Sequence, residues 1–188
     1  MMSKYRSFVL VALMLASGAG LACGAEAKTG VEAKTGAKPA PAPLPPVTRT
    51  YAKPDAILAT SVTVPAGYDL VFLSGALADV ADPGAPKGTI AAYGNTETQT
   101  ESVLTKLQAA LAAQGLSFKD VVNMHVFLAG DPALDGKLDF AGMMKAYNRH
   151  FGTPDQPNRP TRATFQVAAL AAPGYLIEIE VTAAKPGR

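Results

Sequence analysis

Cysteine is almost missing from this chain. Among 188 residues Cys23 is the single example, so no disulfide can form within the chain, and its folded part must rely on an apolar core or on assembly. Histidine is nearly as scarce: His125 and His150 fall in different expected elements, each without a second His or Cys at metal-ligand spacing, which argues against a metal site. The N-terminal apolar run, Phe8 to Ala16, falls short of the roughly 20 residues that a membrane-spanning helix needs. Positive charge is lacking where a nucleic-acid surface would require it. Lys and Arg outnumber Asp and Glu by 17 to 15 overall, but from Tyr51 onward eleven Lys and Arg stand against thirteen Asp and Glu. The folded part is therefore mildly acidic, and nucleic acid is not expected as a partner.

What is present begins with MMSKYRSFVLVALMLASGAGLACGA. Lys4 and Arg6, the apolar run and then small residues have the three-part layout of a secretory signal, with cleavage after Ala22 or Ala25. An alternative is lipidation of Cys23, although Gly20 stands where a lipoprotein signal usually carries a larger aliphatic residue. Membrane attachment is expected only in that case; otherwise the product is periplasmic or secreted. Residues 26–50 follow as EAKTGVEAKTGAKPAPAPLPPVTRT, whose Lys, Gly and alternating Ala-Pro cannot bury a core and read as a disordered tether. Residues 51–188 have the size of one domain.

Within that domain, YDLVFLS (68–74) reads as a buried strand ended by Gly75, with Ser61 to Val64 expected to pair with it across Pro65, Ala66 and Gly67. NTETQTESVLTKLQAALAAQG predicts a helix: Thr96 and Gln99 suit a capping box, Val103, Leu104, Leu107 and Leu111 recur at helical spacing, and Gly115 stops it. DVVNMHVFLAG alternates, with Val122, Met124, Val126 and Leu128 on one face and Asn123, His125 and Phe127 on the other, as a strand does. A second helix is expected from Leu138 to Phe151, because Phe140, Met143, Met144, Tyr147 and Phe151 share a stripe. Two strands, Ala163 to Ala168 and Leu176 to Ala183, close the β-β-α-β-α-β-β order. This is an α+β domain with both helices on one face of a single mixed sheet. The other face is then left to be covered by a second copy.

Period-2 alternation puts Glu178 and Glu180 on the face opposite Ile177, Ile179 and Val181, away from the helix-covered core. A carboxylate there needs a partner or a task. Arg162 and Arg159 flank Pro160 and Thr161 just before the strand.

The segments LVFLSG (70–75), QTESVLTKLQAALAAQGLSFKDVVNMHVFL (99–128), FAGMMKAYNRHF (140–151), PTRATFQVAAL (160–170) and LIEIEVTA (176–183) together resemble the RidA/YjgF family over nearly the whole folded part. The resemblance implies a chorismate-mutase-like fold, assembly as a homotrimer and ligand clefts between subunits. It also implies hydrolysis of reactive 2-imino acids or enamines to 2-keto acids and ammonia without metal or organic cofactor. By the family's P-x-R motif Arg162 is expected to hold the substrate carboxylate, assisted by the backbone at Thr164. The first glutamate of IEIE, Glu178, is expected to direct the attacking water, and Ser74 and Gly75 match the pair that lines the cleft. Two positions depart from the pattern. No G-P-Y-S/T-Q segment precedes the first long strand, and Met144 replaces the asparagine of F-x-x-M/V-N-x-x-Y.

The residue types suit the task independently of the resemblance. A guanidinium fork holds a carboxylate bidentately where lysine cannot, and a carboxylate can orient water or carry its proton. The bland counterparts are that Glu178 pairs with an arginine across an interface, that Arg159 is a solvated charge, and that Met143 and Met144 fill the core. Serine hydrolase chemistry lacks support, because Ser74 has no nucleophile-elbow pattern around it. A non-catalytic protein that binds small carboxylates is the alternative to the deaminase, and an exported setting suits it.

Overall fold

The structure is a computed structural model and describes residues 42–187. The expected signal, Cys23 and most of the expected tether lie outside the described residues. The structured part begins earlier than the expected boundary at Tyr51, because Thr48–Thr50 is a strand, β1.

β1 pairs antiparallel with β2 (Ser61–Thr63) as a separate two-stranded ribbon. This corrects the expected hairpin between Ser61–Val64 and the following strand. β3 (Tyr68–Leu77) instead pairs antiparallel with the last strand, β6 (Ile177–Pro186). Arg49 explains the preference for β1: its Nη2 donates to the carbonyls of Lys119 (3.0 Å) and Val121 (3.1 Å), tying the ribbon to the domain.

The main sheet runs β3-β6-β4-β5, with β4 at Val121–Ala129 and β5 at Thr161–Val167. β4 and β5 are parallel, and β6 is antiparallel to both of its neighbours. The parallel pair needs a crossover, which α3 (Phe140–His150) supplies. α2 (Thr96–Ala113) makes the matching connection from β3 to β4, preceded by the one-turn α1 (Ile90–Tyr93).

Both long helices lie on one face. Val103, Leu104, Leu107 and Leu111 of α2 and Met143 and Tyr147 of α3 share a buried cluster with Met124, Val126 and Leu128 of β4 and Ile177, Ile179 and Val181 of β6. Each such aliphatic side chain contributes about 1.5–3 kcal/mol by leaving water, and the alternation of both strands decides which residues take part.

Two local signals resolve differently from expectation. α2 is capped by Asn95, whose Oδ1 accepts from the Thr98 N–H at 3.0 Å, and Thr96 is a buried first-turn residue. Gln99 does not reach back to a cap. Its buried amide donates to the carbonyls of Gly94 (2.8 Å) and Gly174 (3.0 Å) and accepts from the Leu176 N–H (2.8 Å), locking α2 to the approach of β6. Gly75 does not end β3 either. The strand continues through a register shift between Leu73 and Ala76, which leaves Ser74 and Gly75 as a bulge.

Candidate functional site

Register fixes where each expected site residue stands. Arg162 on β5 is paired with Met124, a core-facing residue of β4, so its side chain enters on the helix-covered side, at the edge beneath α3. Glu178 on β6 is paired with Phe127 of β4 and Leu77 of β3, on the open side. Arg162 and Glu178 of one chain are therefore on opposite faces of the sheet, with β4 between their strands.

The Arg162 guanidinium lies with Cζ 4.5 Å from the centre of the Tyr147 ring and 5.8 Å from that of Phe140. Its Nη1 donates to the Met144 Sδ at 3.3 Å, a weak acceptor for a strong donor. Its Nε and the Thr164 Oγ1 are buried without a hydrogen-bond partner. Burial pushes the Arg162 pKa below its usual value; Tyr147 is the other titratable group that acts on it, in the opposite direction. The Tyr147 hydroxyl is pushed up to about 12, mainly by burial, so it stays protonated near neutral pH. An arginine desolvated this far ordinarily has a carboxylate beside it. Here an aromatic ring and a thioether take that place, and two orphaned polar atoms remain where an anion's oxygens could satisfy them.

On the open face Ser74, Gly75 and Glu178 come together. A Cβ on Gly75 would collide with the Glu178 carboxylate, so glycine is what lets β3 approach that group. Among the described residues Glu178 has no ion-pair or hydrogen-bond partner. The structure thus unites Ser74, Gly75 and Glu178 in one half and Arg162 and Thr164 in the other, and the two halves do not meet within a chain.

The open face also carries a polar group that sequence reading treated as ordinary. His125 Nδ1 lies 2.7 Å from Glu180 Oε1, and its Nε2 lies 3.4 Å from Asn123 Nδ2. Thr161 Oγ1 reaches both Asn123 Oδ1 (2.8 Å) and the Val122 carbonyl (3.1 Å). With Asn123 donating to Nε2, the imidazole is neutral and donates to Glu180. Turning the amide over, with Thr161 donating to Val122, accommodates the imidazolium equally well. These groups, with Ser74, Phe72 and Thr182, line a cavity of about 350 Å³. Cross-strand pairing between residues 55 apart in sequence assembles it, and no local motif announces such a pairing.

The N-terminal segment reaches the Arg162 side of the sheet. Tyr51 Oη accepts from the Arg159 N–H at 3.0 Å, and the Ala59 N–H donates to the Pro160 carbonyl at 2.9 Å. Residues 51–59 thereby brace the turn that delivers Arg162 to its strand. Arg159 itself faces Gly152, donating to its carbonyl at 3.4 Å. Among the described residues no group of three or more His, Cys, Asp or Glu is placed to hold a metal ion, and no helix is long and apolar enough to cross a membrane.

This fold and this arrangement agree with the known proteins that the chain resembles. The family model described as Endoribonuclease L-PSP matches residues 51–185. Protein DfrA of Myxococcus xanthus is 37% identical over 124 residues, covering 65% of this chain and 81% of that protein. A RutC family protein of Pyrococcus horikoshii is 32% identical over 117 residues, covering 62% and 80%. The structure of the Rid-family protein YyfB of Yersinia pestis superposes with a TM-score of 0.51 at 22% identity, covering 68% of this chain and 86% of that one, a likeness of fold. The chain belongs to the endoribonuclease L-PSP family, also known as the YjgF/RidA family.

Proposed function

We propose that this protein is a 2-imino acid or enamine deaminase, with substrate sites formed between copies of a homotrimer, acting outside the cytoplasm. The observation that carries the reading is the desolvated Arg162 guanidinium, which lacks a carboxylate partner and has Nε and Thr164 Oγ1 unsatisfied beside it. A substrate carboxylate supplies the missing acceptors and displaces the Met144 sulfur. Because Glu178, Ser74 and Gly75 stand on the other face of the sheet, a second copy must bring them to that carboxylate. A closed cyclic arrangement repeats one such contact at every interface. The exposed Phe72 and Phe165 and the half-buried Phe127 give the open face an apolar surface suited to being covered.

In this site the imine carbon, conjugated to the held carboxylate, is attacked by a water whose proton Glu178 accepts. The new C–O bond forms as the C=N π pair moves to nitrogen, which takes up a proton. The carbinolamine then collapses: the C–N bond breaks, ammonia leaves with the proton returned from Glu178, and the hydroxyl becomes the keto oxygen. One imine and one water give one keto acid and one ammonia. The step requires orientation of two reactants and one proton carrier, and orientation alone is worth several powers of ten. The ribonuclease implied by the family model's description suits this domain less well, given its acidic balance.

The test is ammonia release from imines generated in situ by an amino-acid oxidase, with the full-length protein and its Arg162→Ala variant. The wild type should accelerate release, and Arg162→Ala should lose about 100-fold or more of that acceleration. Equal background rates for both would leave a small-carboxylate binding protein as the surviving reading.

A further inference from the structure

The geometry points to Met144 and Phe140 as the residues that choose the substrate's side chain, and to imines with an apolar side chain as the class they accept; this rests on the reading of Arg162 as carboxylate anchor. A carboxylate seated on the guanidinium lies against whatever borders it. Those borders are the Tyr147 ring beneath, the Met144 thioether at Nη1 and the Phe140 ring 5.8 Å from Cζ. Phe140 is 42% exposed although it begins α3 over this edge, so it has apolar surface still to be covered.

Electrostatics around Arg162 are equally one-sided. The titratable group acting on its guanidinium is Tyr147, which stays protonated near neutral pH, and neither a carboxylate nor a second cation does so. A substrate ammonium or guanidinium would meet Arg162 without a compensating anion from this half of the site. A second substrate carboxylate would have to share the one arginine and then face Glu178 of the neighbouring copy. An aliphatic or thioether side chain meets none of these penalties, and each buried methylene in such a pocket discriminates by about 10-fold or more. Across the shared site, Phe127 is the residue paired with Glu178, so the neighbour's contribution is also aromatic. Methionine can adapt its unbranched chain to several apolar shapes, which suits a class of substrates more than a single one.

The experiment measures kcat/KM for imines generated in situ from leucine, methionine, glutamate and arginine, using the full-length protein and its Met144→Gln, Met144→Leu and Phe140→Ala variants. The leucine and methionine imines should exceed the glutamate and arginine imines by about 10-fold or more. Met144→Gln and Phe140→Ala should each lower that ratio several-fold, and Met144→Leu should keep it. A preference for charged imines, or a ratio that none of the substitutions moves, overturns the assignment while leaving the deaminase intact. A parallel calorimetric titration with 4-methyl-2-oxopentanoate and 2-oxoglutarate reads the same preference without turnover. Absence of turnover would count against the deaminase, whereas equal binding of the two keto acids would count against the apolar wall.

Discussion

Arg162 and Glu178 occupy opposite faces of one four-stranded sheet, with β4 between the strands that bear them. Two residues with complementary tasks in the proposed chemistry are separated within the chain by the sheet itself. The reading of a shared site follows from that separation.

If copies must combine to complete a site, the protein in solution should have the mass of a closed oligomer, a trimer in our reading. Multi-angle light scattering checks this. A species with the mass of one chain at all working concentrations contradicts the shared site, whatever its activity.

Gly75 isolates the positioning of Glu178 from the stability of the fold. Its φ lies outside the positive region, so alanine is acceptable to the backbone, but the added Cβ meets the Glu178 carboxylate. Gly75→Ala should cost about 1 kcal/mol or less in denaturant unfolding, because an exposed flexible side chain can yield. Deaminase activity should fall by about 10-fold or more, since a misplaced water-directing group loses its alignment. Unchanged activity with Glu178 displaced would count against its proposed task.

Gln99 provides the stability counterpart. Its buried amide satisfies the carbonyls of Gly94 and Gly174 and the N–H of Leu176. Gln99→Leu preserves volume approximately but leaves these backbone groups unpaired, at about 1–3 kcal/mol for each group that stays buried. The midpoint of urea unfolding should drop by an amount equivalent to about 3 kcal/mol in total. A loss below about 1 kcal/mol would mean that water reaches the clamp.

The same residue illustrates what was legible in the sequence. The element order, the α+β class and the face of each long strand followed from periodicity, because alternation in Val122 to Leu128 and in Ile177 to Val181 records which side meets the helices. Long-range partners were not legible. Gln99 sits three residues after Thr96, the spacing of a capping box, but Asn95 caps the helix and Gln99 bonds across 75 or more residues. The strand at Ser61 was assigned to the nearest run, whereas Arg49 draws it to β1. For the site, family-like motifs pointed to Arg162, Thr164, Glu178, Ser74 and Gly75, but their division between two faces depends on register, which no single segment contains. The His125, Glu180 and Asn123 group escaped for the same reason.

Acid should loosen the packing of α2 on α3. Burial on its own would raise the Glu101 carboxyl, but hydrogen bonds from His150 (2.6 Å) and Arg149 (3.0 Å) outweigh it and hold the group below its usual range. A carboxylate with a lower pKa in the folded state adds stability that is present above its unfolded value of about 4.3. That stability is lost as pH falls through the folded value. The unfolding midpoint should therefore decline on acidification below about pH 5, with a shallower decline for Glu101→Gln. An identical acid slope in the variant would remove Glu101 from this account.

The central claim, that Arg162 of one copy and Glu178 of another serve one substrate, is tested most directly by mixing two inactive variants. Arg162→Ala and Glu178→Gln are each assayed alone for imine hydrolysis and then dissociated, mixed in equal amounts and reassembled. Each alone should be nearly inactive. In the mixture about one quarter of the sites should contain both native residues, so about one quarter of wild-type activity should return. A reassembled mixed oligomer as inactive as its parents, when wild type carried through the same steps recovers its activity, would contradict the claim.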